Sequence, residues 1–293
     1  MIKGMKRVAG GPGGDALVLI GSEKTAVLDC GMAYCAPRMI EQVKEVLKGR
    51  TLDYMFSSHT HYDHIGGLAY LRQEWPNIIS VGNAHGQAVL KRSGALKAIR
   101  KLSESAAKEY MKESYEPLEY RDEDLRIDYV VKDGDVISLG DRHLLVMETP
   151  GHTNCSLSYY LEEERFLFPS ESIGCYVGNH HMVSPILTGF QDTITSIQRC
   201  RELNPKWVSS PHYGVVRNIT PQQYFDLAVQ AAVDMKEFIL EIHHKGMTQE
   251  EMIQACQERY WNGETANEQP LMAFLVNTKA AISVICKEFG EDQ

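Results

Sequence analysis

Apolar positions along this chain switch between the two-residue period of strands and the 3.6-residue period of helices. The switches predict strands alternating with helices over the first two-thirds and helices alone over the last third. Ala16 to Ile20 and Thr25 to Leu28 are short β-prone runs joined by Gly21-Ser22-Glu23-Lys24, which predicts a hairpin. Behind Pro37, where a first helical turn tolerates proline, Met39, Ile40, Val43, Val46 and Leu47 recur at helical spacing, and this helix is expected to close near Gly49. Leu52 to Phe56 reads as a strand, Ile65 to Trp75 as a helix stopping before Pro76, and Ile78 to Val81 as another strand. The Ala- and Lys-rich stretch from His85 to about Arg121 has helical periodicity and reads as a helical insertion, spanning about 94–125. Gly140-Asp141 marks a hairpin turn between Asp135 to Leu139 and His143 to Glu148; Leu157 to Leu161 and Arg165 to Phe168 form a further pair, and Trp207 to Ser209 a late strand. Past Gly214, Thr220 and Thr248 each open a capping box, with Gln223 and Glu251 three residues on, and Leu271 to Phe289 gives the last helix.

Length and composition narrow the picture. At 293 residues the expectation is one elaborated α/β unit, residues 1–214, with a helical extension, 215–293, packed on it. An apolar fraction of 43% and a charged fraction of 24% exclude a disordered or fibrous chain. The 30 Lys and Arg against 39 Asp and Glu give a net charge of −9 with no basic stripe, which argues against nucleic acid as a partner. No apolar run approaches the length of a membrane span. Gly-Gly-Pro-Gly-Gly-Asp follows Lys3, Lys6 and Arg7 where a leader would carry an apolar segment, so a cytoplasmic location is expected. Seven scattered cysteines without a CxxC pair read as buried free thiols, with Cys30 and Cys35 the one weak redox or metal candidate.

The chemistry concentrates in His59-Thr60-His61-Tyr62-Asp63-His64, between a predicted strand and a predicted helix. Side chains at i and i+2 of an extended segment share a face, so His59 and His61 can grip one metal ion, while Asp63 and His64 at the following turn can face a second. Gly66 and Gly67 would remove side-chain bulk where backbone crowds the site. Further ligands must come from elsewhere. Three candidates follow predicted strands: His152 in Thr149-Pro150-Gly151-His152-Thr153, Glu171 in Phe168-Pro169-Ser170-Glu171-Ser172, and His212 in Ser210-Pro211-His212. His85, His143, His243 and His244 lack such context and read as structural; His180-His181 reads as a solvated loop within reach of a substrate.

The HxHxDH segment, the TPGHT segment, an acid after the next strand pair and a terminal His resemble, in that order, the metallo-β-lactamase superfamily, over roughly Asp15 to Gly214 apart from the insertion. The resemblance implies an αββα four-layer sandwich of two mixed sheets flanked by helices, with the site at one edge. It implies that His59, His61 and His152 hold one metal, that Asp63, His64 and His212 hold another, and that the acidic position bridges them. Asp29 falls where the family often has an acid that orients a ligand. The bridging residue is usually Asp and is Glu171 here, as in the quinolone-signal response branch, which also carries a helical extension.

The implied activity is a dinuclear-metal hydrolase acting on a small molecule with an ester-like bond, whether thioester, lactone, carboxylic ester or phosphodiester. Attack would be by a metal-bridging hydroxide, with Asp63 orienting it and accepting the proton that the parent water gives up. Zinc is the first expectation for the two divalent ions, and iron or manganese suits the same ligands. A metal-binding regulatory protein with weak hydrolase activity, or an iron-dependent oxidoreductase of the same fold, are the alternatives. The insertion and tail are expected either to shape a pocket, with Tyr110, Tyr115, Phe225 and Trp261 as walls, or to form outer packing or a homodimer surface.

Overall fold

The structure, a computed structural model, describes residues 3–290. Its first sheet orders β1 (Met5–Ala9), β2 (Asp15–Ile20), β3 (Thr25–Leu28), β4 (Tyr54–Phe56), β5 (Ile79–Asn83) and β6 (Tyr129–Val131) side by side. β1 to β3 pair antiparallel and β3 to β6 parallel. Each parallel step needs a crossover. These are supplied by α1 (Ala36–Leu47), by α2 (Tyr62–Ile65) with α3 (Leu68–Glu74), and by α4 (Ala84–Leu90) with α5 (Ser93–Met111). The second sheet is built from β7 (Val136–Ser138), β8 (His143–Glu148), β9 (Leu157–Leu161), β10 (Phe166–Phe168), β13 (Trp207–Ser210) and β14 (Gly214–Val215), in the order β14-β13-β10-β9-β8-β7. Only β10 and β13 run parallel, joined through the hairpin β11 (Cys175–Gly178) and β12 (His181–Val183) and through α6 (Phe190–Glu202). The tail is α7 (Pro221–His244), α8 (Gln249–Tyr260), α9 (Gly263–Glu268) and α10 (Leu271–Phe289).

Strand β2 shows why the layers form. Both faces of Ala-Leu-Val-Leu are apolar, as in a sheet covered on both sides. Leu17 and Leu19 face the second sheet, packing with Phe56, Val146, Tyr159 and Phe166. Val18 points the other way, under Met39 and Val43 of α1 and Leu68 of α3. On the far side of the second sheet, Leu167 and Val208 lie under Ile197 of α6 and Phe225 and Ala228 of α7. Helix, sheet, sheet, helix is therefore the layer order. Burying each such side chain stabilises the fold by about 1.5–3 kcal/mol. The tail extends the outer layer: Ile239, Ile242, Met252, Cys256, Ile282 and Ile285 form their own cluster between α7, α8 and α10.

Both predicted capping boxes form, Thr220 with Gln223 and Thr248 with Glu251. Two expectations are corrected. The helix expected over Ile65 to Trp75 is broken at Gly66-Gly67 into α2 and α3. The insertion helix stops at Met111, because Lys112 takes a left-handed φ of 51° and Pro117 cannot continue a helix. The solvated loop expected at His180-His181 is exposed and forms the turn and start of the β11–β12 hairpin. No helix among the described residues is long and apolar enough to cross a membrane. The described cysteines are free thiols, and all but Cys286 are buried.

Candidate metal centre

Seven side chains meet where the two sheets end. His59, His61 and His152 form one group of converging donors; Asp63, His64, Glu171 and His212 form a second. The first group arises from the extended segment after β4: the rings of His59 and His61 stand 4.6 Å apart, and His152 closes the triangle at 4.8 Å and 4.7 Å. The chain then turns into α2, with His61 as its extended N-cap, which rotates Asp63 and His64 toward the second group. Glu171 joins the groups: Oε2 is 2.9 Å from His152 Nε2, and Oε1 is 2.6 Å from His212 Nε2 and 3.4 Å from His64 Nε2.

Backbone crowding explains the glycines beside the motif. A Cβ at Gly67 would stand 2.3 Å from the Cys30 carbonyl oxygen. At Gly151, where φ is 132°, a Cβ would meet Thr193 Oγ1 at 2.3 Å, so only glycine lets the N-terminal end of α6 press against the His152 loop. A ladder of hydroxyls ties the strand ends together. Thr149 Oγ1 lies 2.9 Å from both Ser158 Oγ and Ser170 Oγ, and the Ser170 N–H donates to Ser158 Oγ. His152 and Glu171 thus project from one braced rim.

The partners behind the donors set their tautomers. Asp29 accepts from Ser58 N–H at 2.6 Å, from Ser58 Oγ at 2.7 Å and from His64 Nδ1 at 2.8 Å. Its φ of 54° is uncommon for a side-chain-bearing residue and costs about 1 kcal/mol or more. Three hydrogen bonds to the carboxylate offset that cost. With its proton given to Asp29, Ser58 Oγ can only accept from His59 Nδ1, 3.0 Å away, so His59 carries its proton on Nδ1 and directs a lone pair inward from Nε2. His152 Nδ1 donates to the Pro185 carbonyl at 2.9 Å, which likewise turns Nε2 inward.

Electrostatics separate the two groups. Burial, reinforced by neighbouring imidazoles, pushes His59 well below the usual histidine range and His61 down to about 3. Both are neutral ligands in waiting. Burial would also raise Glu171, but the His152, His212 and His64 imidazoles outweigh it and hold the carboxyl well below its usual range. Burial opposes protonation of His64, and the Asp29 and Asp63 carboxylates overcome it. His59 Nε2, His64 Nε2 and Asp63 Oδ1 are buried without a hydrogen-bond partner. An orphaned buried donor or acceptor costs about 1–3 kcal/mol. Orphaned atoms in both donor groups, His59 Nε2 in the first and His64 Nε2 and Asp63 Oδ1 in the second, fit a cation-binding role, and the imidazole and carboxylate donors suit divalent ions.

The model of the metallo-beta-lactamase superfamily matches residues 9–212, a stretch that contains all seven donors. The chain belongs to the metallo-beta-lactamase superfamily. It is 28% identical over 162 residues to the human acyl-coenzyme A thioesterase MBLAC2, covering 52% of this chain and 56% of that one. It is 29% identical over 157 residues to the hydroxyacylglutathione hydrolase of Rhodopseudomonas palustris, covering 53% and 46%. The chain thus spans about half the length of these curated relatives. The solved structure of the superfamily protein ST1585 from Sulfolobus tokodaii covers 80% of this chain and 87% of its own, with a TM-score of 0.60 and 24% identity, which shows the fold.

A narrow cleft opens onto the second donor group and brings in residues the motif does not predict. Val177, Val183 and Pro185 from the hairpin side form an apolar wall, and Thr265, Glu268 and Gln269 of α9 and the residue after it cover the opposite side. Glu268 Oε2 accepts from Gly13 N–H at 2.8 Å, tying α9 to the loop after β1. The expected aromatic walls lie elsewhere. Phe225 is core; Tyr110 stacks on Tyr34; Tyr115 bonds to Glu104; Trp261 braces α9 by donating from Nε1 to the Gln269 carbonyl at 3.0 Å. Of the histidines read as structural, His85 is exposed and His143 pairs with Glu163 at 2.5 Å.

Proposed function

We infer that this chain is a divalent-metal-dependent hydrolase of thioesters. Glu171 carries the reading, because one carboxylate reaches both donor groups, 2.9 Å from His152 and 2.6 Å from His212. His59, His61 and His152 would hold one ion and Asp63, His64 and His212 the other, with Glu171 between them. Ions bound there would acidify water and polarise the substrate carbonyl.

The protein's own groups supply the rest. Asp63 combines one orphaned carboxylate oxygen, Oδ1, with a second, Oδ2, 3.8 Å from His212 Nε2. It is the group placed to orient the attacking water and hold its proton. The wall of Val177, Val183 and Pro185 suits an acyl chain and excludes water beside the reacting carbonyl. A thiol has a pKa of about 8.5, so a thiolate departs near neutrality without a second proton donor. One carboxylate station therefore suffices, which favours a thioester over an amide or alkyl ester. The human relative is named as an acyl-coenzyme A thioesterase, and the bacterial relative is named for an acylglutathione, itself a thioester.

The test is a substrate panel with chain stripped of metal and reloaded with Zn, Mn or Fe. An acyl-coenzyme A or an S-acylglutathione should be cleaved with kcat/KM about tenfold or more above p-nitrophenyl acetate and bis(p-nitrophenyl) phosphate. Faster cleavage of the phosphodiester, or oxygen uptake by the iron form without hydrolysis, would overturn the reading.

A further inference from the structure

A second, roomier depression, of about 310 Å³, opens on the flank of the sandwich where edge strand β1 of the first sheet faces β13 and β14 of the second. Its lining joins Arg7 and Arg217 with the rings of Trp207 and Tyr213 over a floor of Leu17 and Val215. Lys6 lies at its rim. No acidic side chain lines it, in a chain whose acids outnumber its Lys and Arg by 39 to 30. Arg7 already has a carboxylate, Asp15 at 2.5 Å, which leaves the exposed Arg217 to meet an incoming anion. Lys206 adds an ammonium 5.9 Å from the Trp207 ring.

The depression is continuous with the metal centre. Tyr213 belongs to both linings, and Arg7 Nη2 donates to the carbonyl oxygen of His212 at 2.8 Å. Guanidinium groups recognise phosphate oxygens by paired hydrogen bonds, and exposed aromatic rings stack nucleobases. Acyl chains need neither. We propose that this flank binds the phosphorylated nucleotide end of the thiol carrier, while the acyl end lies against Val177 and Val183 in the cleft. Arg217 contacts phosphate, and Trp207 and Tyr213 stack the base. The proposal rests on the thioester reading and extends it to a carrier that bears a nucleoside phosphate.

Binding is read first without turnover. Adenosine 3′,5′-bisphosphate titrated into the full chain should quench tryptophan fluorescence, and the quench should vanish in Trp207→Phe. A quench that persists would place the ligand beside Trp75 or Trp261 and overturn the assignment. Arg217→Ala, at an exposed position, should weaken the bisphosphate by about tenfold, with partial recovery in Arg217→Lys. Inorganic pyrophosphate should bind about tenfold more weakly than the nucleotide; equal binding would mean an anion patch without base recognition and would overturn the proposal. Turnover then separates the two readings. Arg217→Ala should raise KM about tenfold for an acyl-coenzyme A with kcat unchanged, and should leave the acyl N-acetylcysteamine thioester, which has no nucleotide, unaltered. Equal effects on both thioesters would remove the groove and leave thioester hydrolysis standing. Nucleotide binding by a metal-loaded chain that cleaves no thioester would do the reverse.

Discussion

The segment Ser57 to His64 and the cover formed by α9 face each other across one cleft, yet they are held in opposite ways. Behind the donor segment a net of hydrogen bonds fixes the backbone and the outward ring nitrogens. Asp29 holds Ser58 and His64, Ser57 Oγ donates to the His59 carbonyl at 2.6 Å, and Leu157 N–H donates to the Ser58 carbonyl at 2.7 Å. α9 has no side-chain cap at its start, and its ties include Glu268 to Gly13 and Trp261 to Gln269. The difference separates two tasks. Under the proposed function, donors to a metal must be fixed in advance, because misplacement raises the barrier, whereas the α9 side of the cleft need only line it.

Substitutions on the two sides should therefore fail differently. The largest effect is expected from His61→Ala, which removes a donor shared by no other residue: bound metal and hydrolysis should fall together to background, followed by elemental analysis and thioester assay. Retained metal in that variant would show that His61 is not a ligand. Asp29→Asn should weaken metal about 10–100-fold in a chelator competition, because His64 loses the carboxylate that sets its tautomer. Glu268→Gln should keep full metal content and shift KM for the thioester by about fivefold, the worth of one charge-assisted hydrogen bond traded for a neutral one. A loss of metal there would show that α9 is part of the centre rather than its cover.

The smallest effect serves as a control outside both regions. Burial would raise Asp128, but Ser80 N–H at 3.0 Å and Arg72 at 2.6 Å hold its carboxyl below the usual range. A depressed folded-state pKa stabilises the fold above the unfolded value of about 3.9, and that stability is lost as pH falls through the folded value. Asp128→Asn should thus differ from wild type in urea unfolding at neutral pH, with the difference closing below about pH 4 and metal content at neutral pH equal to wild type.

The metal-binding side was legible because its information is local. Four of the seven donors fall within six residues, the spacing of His59 and His61 follows from strand geometry, and Gly66-Gly67 advertises the close approach of backbone. The cover was not legible. Gly-Glu-Thr-Ala-Asn-Glu in α9 has no apolar period; Glu268 ties its last turn to the distant Gly13, and Trp261 just before it bonds across the helix to Gln269. β1 escaped detection for a related reason. Met-Lys-Arg-Val-Ala alternates poorly, and its strand form comes from pairing with β2, Met5 opposite Leu19 and Arg7 opposite Leu17. In α6, Thr193, Thr195 and Ile194 read against a helix, and packing of Ile197 and Cys200 on the second sheet overrides propensity. The end of the insertion helix could have been found from Pro117 alone. Ser58, which relays Asp29 to His59, left no signal beyond its place before the motif.

In the proposed function Glu171 makes one centre of two donor groups. The most direct test of that claim is the number of divalent ions taken up by chelator-stripped full chain, wild type against Glu171→Gln, by calorimetric titration with elemental analysis. Wild type should bind two ions cooperatively, and Glu171→Gln should bind them independently and more weakly at the second group. A wild-type chain that takes up no ion, or two ions whose binding is indifferent to the loss of the Glu171 charge, would contradict the claim.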